Sequence, residues 1–269
     1  MWTDRHRTRH ETRLKNMVME AGLDEVARFL ERADPPARPN ARSARRVMAA
    51  VAWHLRTGGG WRALPDGFLP WRTVYGWFRR WVDKGLFAVL MRTLARRQRR
   101  RCGQRPTPRL AIIDTQSVKC IGVRGPRGYD AAKRVVGRKR VMMVDAEGHI
   151  LAMAIVPANV QDCDTLSALD EGKPYWPSLR LGLFDSVFRA KRCEEWCNLH
   201  GMRRRVVEKD PDQKGFVVLE RRWIVERTFG WLSHWGGLLR ERAGRLDVAT
   251  GRLICVACLM AANALNNPA

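Results

Sequence analysis

Four short apolar runs in the second half of the chain limit its fold more than any other feature. They are residues 110–113, 141–144, 150–156 and 181–184. Each is too short for a helix and suits a buried strand. The second and third flank Asp145-Ala146-Glu147-Gly148, which places a glycine in a tight turn and predicts a hairpin. Arg205-Val206-Val207 reads as a fifth strand. Helical segments fall at 162–169, capped by Asp162, and at 189–200, closed by Gly201. Two more, 219–240 and 249–265, end the chain. The order of three strands, helix, strand, helix, strand, helix predicts an α/β fold: a mixed sheet flanked by helices.

The residues before about 105 have a different period. A helix over 44–56 is ended by Gly58-Gly59-Gly60, and Pro70 is well placed to start another. Trp71, Val74, Phe78 and Trp81 then recur at helical spacing, with Arg72, Arg79 and Arg80 off that stripe. Gly85 ends this helix, and 86–101 forms the next. Two short helices around a glycine turn resemble a helix-turn-helix, whose second helix suits a major groove. A small bundle with a solvated basic face fits the same pattern. Trp53, Trp61, Trp71, Trp77 and Trp81 read as core rather than as base-stacking platforms.

Charge points to the partner. The 269 residues carry 50 Lys+Arg against 27 Asp+Glu, a net charge of +23, on a 45% hydrophobic composition that excludes wholesale disorder. Such a balance suits a polyanion, nucleic acid before an anionic membrane. Residues 1–108 hold 24 basic and 9 acidic residues, and 109–269 hold 26 and 18, so the first part reads as the DNA-holding unit. Pro106 and Pro108 follow an arginine run and divide a helical unit, 1–105, from an α/β unit, 106–269. A second loose segment spans 33–40. No run reaches the ~18 apolar residues of a membrane span; 253–265 reads as a buried helix, and the N-terminus lacks the apolar centre of a secretory signal. Seven scattered cysteines suit free thiols in a reducing cytoplasm.

A catalytic site must gather groups far apart in sequence. Asp114 and Asp185 each end an apolar run, beside the place where open sheets expose ligands; turn and cap roles are open to both. Glu226 shares a polar helix face with Arg222, Gly230 and Ser233, opposite Ile224, Val225, Thr228, Phe229, Trp231, Leu232 and Trp235. A surface ion pair with Arg222 is the plainer reading. Cys255 and Cys258 form CxxC with no second pair. Cys193, Cys197 and His200 supply only three metal donors. No phosphate-cradling GxxxxGK[ST] occurs.

Several segments carry a resemblance. Residues 221–232 (RRWIVERTFGWL) and 111–119 (AIIDTQSVK) resemble the glutamate and first-aspartate motifs of the insertion-sequence five family of bacterial DDE transposases. Gly137-Arg138-Lys139-Arg140, Pro157 to Asp162, and Leu55 to Tyr75 are similar to further segments of that family, in the same order. The resemblance implies a ribonuclease-H-like mixed sheet flanked by helices, preceded by an all-helical DNA-binding domain. It implies Asp114, Asp185 and Glu226 as catalytic residues holding two Mg²⁺ ions, with Mn²⁺ as a substitute. Hard cations prefer such oxygen ligands, and two of them clamp one phosphodiester while water, then a freed 3′ oxygen, attacks in line. Arg72, Arg79, Arg80, Lys119, Arg138, Lys139 and Arg222 are the expected DNA contacts. The implied partner is double-stranded DNA, element ends and target, held by a homodimer or larger assembly in the bacterial cytoplasm at the nucleoid. The chain departs from the family at Leu219, where a tyrosine is usual, and at Ser233, where a basic residue is usual. A relic that binds DNA without cutting, and a nuclease without strand transfer, are the alternatives.

Overall fold

All four apolar runs enter one six-stranded sheet in a computed structural model, which describes residues 20–35, 43–207 and 222–266. The strands are β1 (Leu110–Lys119), β2 (Gly128–Asp130), β3 (Val135–Val144), β4 (Ile150–Pro157), β5 (Leu181–Phe184) and β6 (Arg203–Val206). On one side β1 pairs antiparallel with β3, which pairs antiparallel with β4 and, at its start, with β2. On the other side β1 runs parallel to β5, and β5 parallel to β6. The predicted hairpin is β3–β4. Strands β1 and β3 outrun their apolar cores because their ladder continues from Ile112↔Val144 to Lys119↔Gly137. Backbone pairing, not side-chain burial, carries the polar residues Thr115, Gln116 and Ser117. At the ladder's end a Cβ on Gly137 would lie 1.9 Å from the Val118 carbonyl oxygen, so the strand approach demands glycine there. Strand β2 has no apolar run and was not foreseen.

The helices are α1 (Glu20–Ala33), α2 (Ala44–Thr57), α3 (Trp71–Asp83), α4 (Leu86–Arg101), α5 (Lys191–Leu199), α6 (Arg222–Ser233) and α7 (Leu246–Asn266). Helix α2 begins where the Ser43 hydroxyl accepts from the Arg46 N–H. It ends at Gly58, whose φ of +76° and contact with the Gly236 backbone exclude a side chain. The α3 stripe is in the core: Val74, Phe78 and Trp81 are buried. Sequence reading missed α1. Residues 162–169 form a 3₁₀ segment with Gln161, not Asp162, at its N-cap position. The helix expected over 219–240 stops at Ser233 and resumes as a 3₁₀ turn, Gly236–Leu238; positions 219–221 and 36–40 lie outside the described residues.

Alternation along β1 sends Ile112 to one sheet face and Ala111 and Ile113 to the other. The first face packs under α6 and α7, and its cluster runs on without a break into α1, α2, α3 and α4. Thus the N-terminal helices close the core of the sheet through α7. Helix α7 is long and apolar enough to cross a membrane, but most of it is buried inside the protein, as a core helix is.

Three expectations change. Helix α4 packs on α7 and β4 rather than projecting as a recognition helix: Phe87, Leu90, Met91 and Leu94 are buried. Its arginines hold internal partners, with Arg96 donating to the Tyr175 carbonyl and Arg99 paired with Asp145. Two cysteines are paired, not free: Cys163 and Cys193 form a disulfide that ties the 3₁₀ segment to α5. That pairing also removes Cys193 from any metal set with Cys197 and His200, and His200 instead meets Asp170 at 2.9 Å.

Candidate active site

The sheet register brings two aspartates side by side. Ile112 pairs with Leu183 in the parallel β1–β5 ladder. Two residues further on, Asp114 and Asp185 emerge next to each other on the same face. Asp114 is the fifth residue of a ten-residue strand, not its end, because only the parallel half of the pairing stops there. Asp185 follows the last residue of β5. Helix α6 packs its apolar face against β1 and turns Arg222 and Glu226 toward both acids.

One guanidinium nitrogen gathers all three. Arg222 Nη2 lies 3.0 Å from Asp185 Oδ2, 3.4 Å from Glu226 Oε1 and 3.6 Å from Asp114 Oδ2. The expected surface pair of Arg222 and Glu226 is therefore one edge of a four-residue cluster. Asp114 Oδ1 accepts from the Thr115 N–H at 2.7 Å, and Asp185 Oδ1 accepts from the Ser186 N–H and, at 2.9 Å, its hydroxyl. Asp185 thus does cap a turn while its second oxygen remains on Arg222. Burial pushes the Asp114 carboxyl up to about 6; the Thr115 N–H and Arg222 pull it down, and Asp185 and Glu226 add repulsion. Glu226 is the most exposed acid, its side chain 59% accessible.

The arrangement fits a hard cation. Three carboxylates from separate elements already surround one positive group, which a divalent ion can replace. Among the described residues no three acids, imidazoles or thiolates stand close enough to form a ready-made metal cluster; here the acids are spaced around Arg222.

The other expected DNA contacts divide by burial. Arg72 and Lys119 are exposed, Arg72 lying over the Trp71 ring. Arg79 pairs with Asp83 at 3.5 Å. Arg80 is clamped on Asp34 by two hydrogen bonds of 2.6 and 2.7 Å. Arg138 and Lys139 are buried. Arg138 donates to the Pro126, Ala243 and Gly244 carbonyls, and Lys139 to Val160, with Asp162 3.0 Å away. Both side chains are thus held by internal partners, and Lys139 also lines an open pocket with Asp130 and Asp162. Sequence reading passed over Arg203 and Arg205, which are exposed on the edge strand β6. Their register with Leu181 and Leu183 puts them on the face of Asp114 and Asp185. An arginine at every second position of a strand was the available signal; charged edges also deter strand pairing.

Comparison with known proteins agrees with this architecture. The family described as "Transposase DDE domain" matches residues 105–263. A second family, "Putative transposase of IS4/5 family", matches residues 21–91. A curated Burkholderia cepacia protein, "Putative transposase for insertion sequence element IS402", is 30% identical over 148 residues, covering 52% of this chain and 69% of the relative. Two family matches in succession span both the helical part and the sheet, with Asp114, Asp185 and Glu226 all inside the second. The chain belongs to the IS4/5 family of DDE transposases.

Proposed function

We propose that this transposase cuts and joins DNA at Asp114, Asp185 and Glu226. The observation that carries the reading is the convergence of these three carboxylates on Arg222. A relic that had lost catalysis would have no reason to keep Asp185 turned toward Asp114, and here both face the same nitrogen.

In this reading the three acids hold two divalent ions, Mg²⁺ or Mn²⁺. When bound, such ions lower the pKa of an attacking oxygen and stabilise the leaving 3′ oxygen of an in-line displacement. The protein's own groups do the rest. Strands β1 and β5 fix two carboxylates in register, and α6 brings the third. The Thr115 and Ser186 N–H groups orient Asp114 and Asp185 by holding one oxygen of each. Arg222, freed from the acids, is placed to meet a phosphate oxygen. Arg203 and Arg205 offer exposed positive charge to a duplex lying across this face, and Lys119 and Arg72 add exposed charge elsewhere on the surface. Residues 1–105 serve as the part that grips the element's ends, and 106–269 as the catalytic part. Pairing two ends calls for at least a dimer in the DNA complex.

Asp114→Ala and Glu226→Ala should each abolish cleavage of end-bearing DNA and leave its binding intact. Retained cleavage in either variant would remove that residue from the site. Joined products separate a transposase from a nuclease that only nicks.

A further inference from the structure

A second polar centre lies where the N-terminal helices meet the loop before α7. Arg138, Arg140 and Arg252 are each no more than 3% exposed, and the Glu241 carboxylate among them is fully buried. Glu241 lies 3.2 Å from Arg140 and 3.6 Å from Arg138. Arg242 follows at the surface. One carboxylate cannot balance three buried guanidiniums, and uncompensated buried charge is costly. Burial lowers the Arg252 pKa; Glu241 opposes this, and Arg140, Arg242 and Arg138 add to it.

Donors are unspent at the same place. Arg252 Nη2 donates to the Gly237 carbonyl at 2.8 Å, but its Nε has no partner. His54 is 3% exposed, and neither ring nitrogen has a partner within good hydrogen-bond geometry; burial, then the Arg252 and Arg242 charges, lower its pKa to about 3, the Gly59 backbone opposing them, so the ring is neutral and carries one N–H. Its ring stacks on Trp61 at 3.8 Å. Both side chains line a cavity of about 160 Å³, completed by Tyr75, Arg242 and the Gly59–Gly60 backbone, with no acidic residue in its wall. Buried polar atoms without partners are rare in native folds and ask for a partner, and here two such side chains face one cavity. The volume is below the ~300 Å³ at which pockets for larger ligands begin, so a small tetrahedral oxyanion fits and a nucleotide does not.

We infer that this cavity is an oxyanion site that takes a phosphate group. The imidazole N–H of His54, Arg252 Nε–H and the Tyr75 hydroxyl supply donors, and Arg242 closes the mouth. The phosphate comes either from solution or from a DNA strand. The site is separate from the acidic cluster: none of Asp114, Asp185, Arg222 and Glu226 lines the cavity.

Calorimetric titration of the metal-free protein with inorganic phosphate, at fixed ionic strength, tests the inference. Saturable binding and a raised Tm are expected. Arg242→Gln should weaken phosphate about tenfold, and Tyr75→Phe about threefold, whereas Arg222→Gln should leave it unchanged. The His54 ring resonances of the unmodified protein should shift as phosphate is added. Equal phosphate affinity in all four proteins, a Tm rise matched by chloride, or unmoved His54 resonances would overturn the site. A random-sequence duplex then separates the sources. If the phosphate is DNA's, Arg242→Gln lowers the slope of log affinity against log salt by about 0.9. If it is free phosphate, that slope is unchanged while the loss of phosphate binding remains. Either slope supports the cavity as a phosphate site.

Discussion

At the scale of single residues, Arg222 is the most informative. Its guanidinium stands where a cation would neutralise Asp114, Asp185 and Glu226. A divalent ion and Arg222 therefore compete for the same oxygens. Arg222→Gln should bind Mn²⁺ about tenfold more tightly in the absence of DNA, about 1.4 kcal/mol, as read by titration or electron paramagnetic resonance. Weaker binding in that variant would show that Arg222 organises the acids more than it competes for them.

Asp114 adds a pH dependence with a definite sign. Its carboxyl titrates near 6, above its ordinary value of 3.8, chiefly because it is buried. The folded protein thus holds this proton more tightly than the unfolded chain does. That contribution to stability is full below about 4 and is lost as pH rises through about 6. Asp114→Asn removes the buried charge, so the metal-free variant should melt higher than the parent at pH 8, with the gap closing by pH 4. Mn²⁺ affinity of the parent should fall as pH drops below 6, because the ion must then displace a proton. A flat profile from pH 5 to 8 would contradict the raised value.

At the scale of elements, the strands were legible and their lengths were not. Apolar runs locate β1, β3, β4 and β5, because burial on both faces leaves an unbroken hydrophobic signature. The polar second half of β1 and the whole of β2 are held by backbone ladders, which leave no such mark. Helical period and glycine punctuation located α2, α3 and α4, but not what α4 packs against. In the basic segment Gly137-Arg138-Lys139-Arg140, Arg138 and Lys139 read as DNA contacts. Its arginines are buried because carbonyls and one carboxylate about a hundred residues further along the chain receive them.

The Cys163–Cys193 pair is another contact between elements that spacing did not show. It predicts five titratable thiols in the unfolded, unreduced protein and seven after reduction, since Cys102, Cys120, Cys197, Cys255 and Cys258 are free. Seven before reduction would refute the pairing. The clamp of Arg80 and Lys84 on Asp34 ties the end of α1 to α3. Arg80 leads in holding the Asp34 carboxyl down at about 2. Its contribution is therefore present above about 4 and lost as pH falls through about 2. Asp34→Asn should lower the Tm at neutral pH and match the parent near pH 2.

At the scale of the whole molecule, helices from the first 105 residues and α7 share one hydrophobic cluster with the sheet. Residues 106–269 expressed alone would expose the α7 face that α1 and α4 cover, and should be poorly folded. A cooperative transition from that fragment matching the full chain's would show the two parts to be independent. The charge of +23 is partly spent inside: Arg99, Arg138, Lys139, Arg140 and Arg252 are buried on internal partners, and Arg80, itself exposed, is held by the buried Asp34. Net charge indicated the partner class, but it did not say which cations face it. Of the site, sequence motifs indicated the three acids, while the register that joins Asp114 to Asp185 came from the folded sheet.

The most direct test of the account is crystallographic: Mn²⁺ soaked into the protein and located by its anomalous signal. The account predicts manganese between Asp114, Asp185 and Glu226, with Arg222 displaced from all three carboxylates. Manganese bound elsewhere, with Arg222 still seated among the acids at saturating ion, would contradict it.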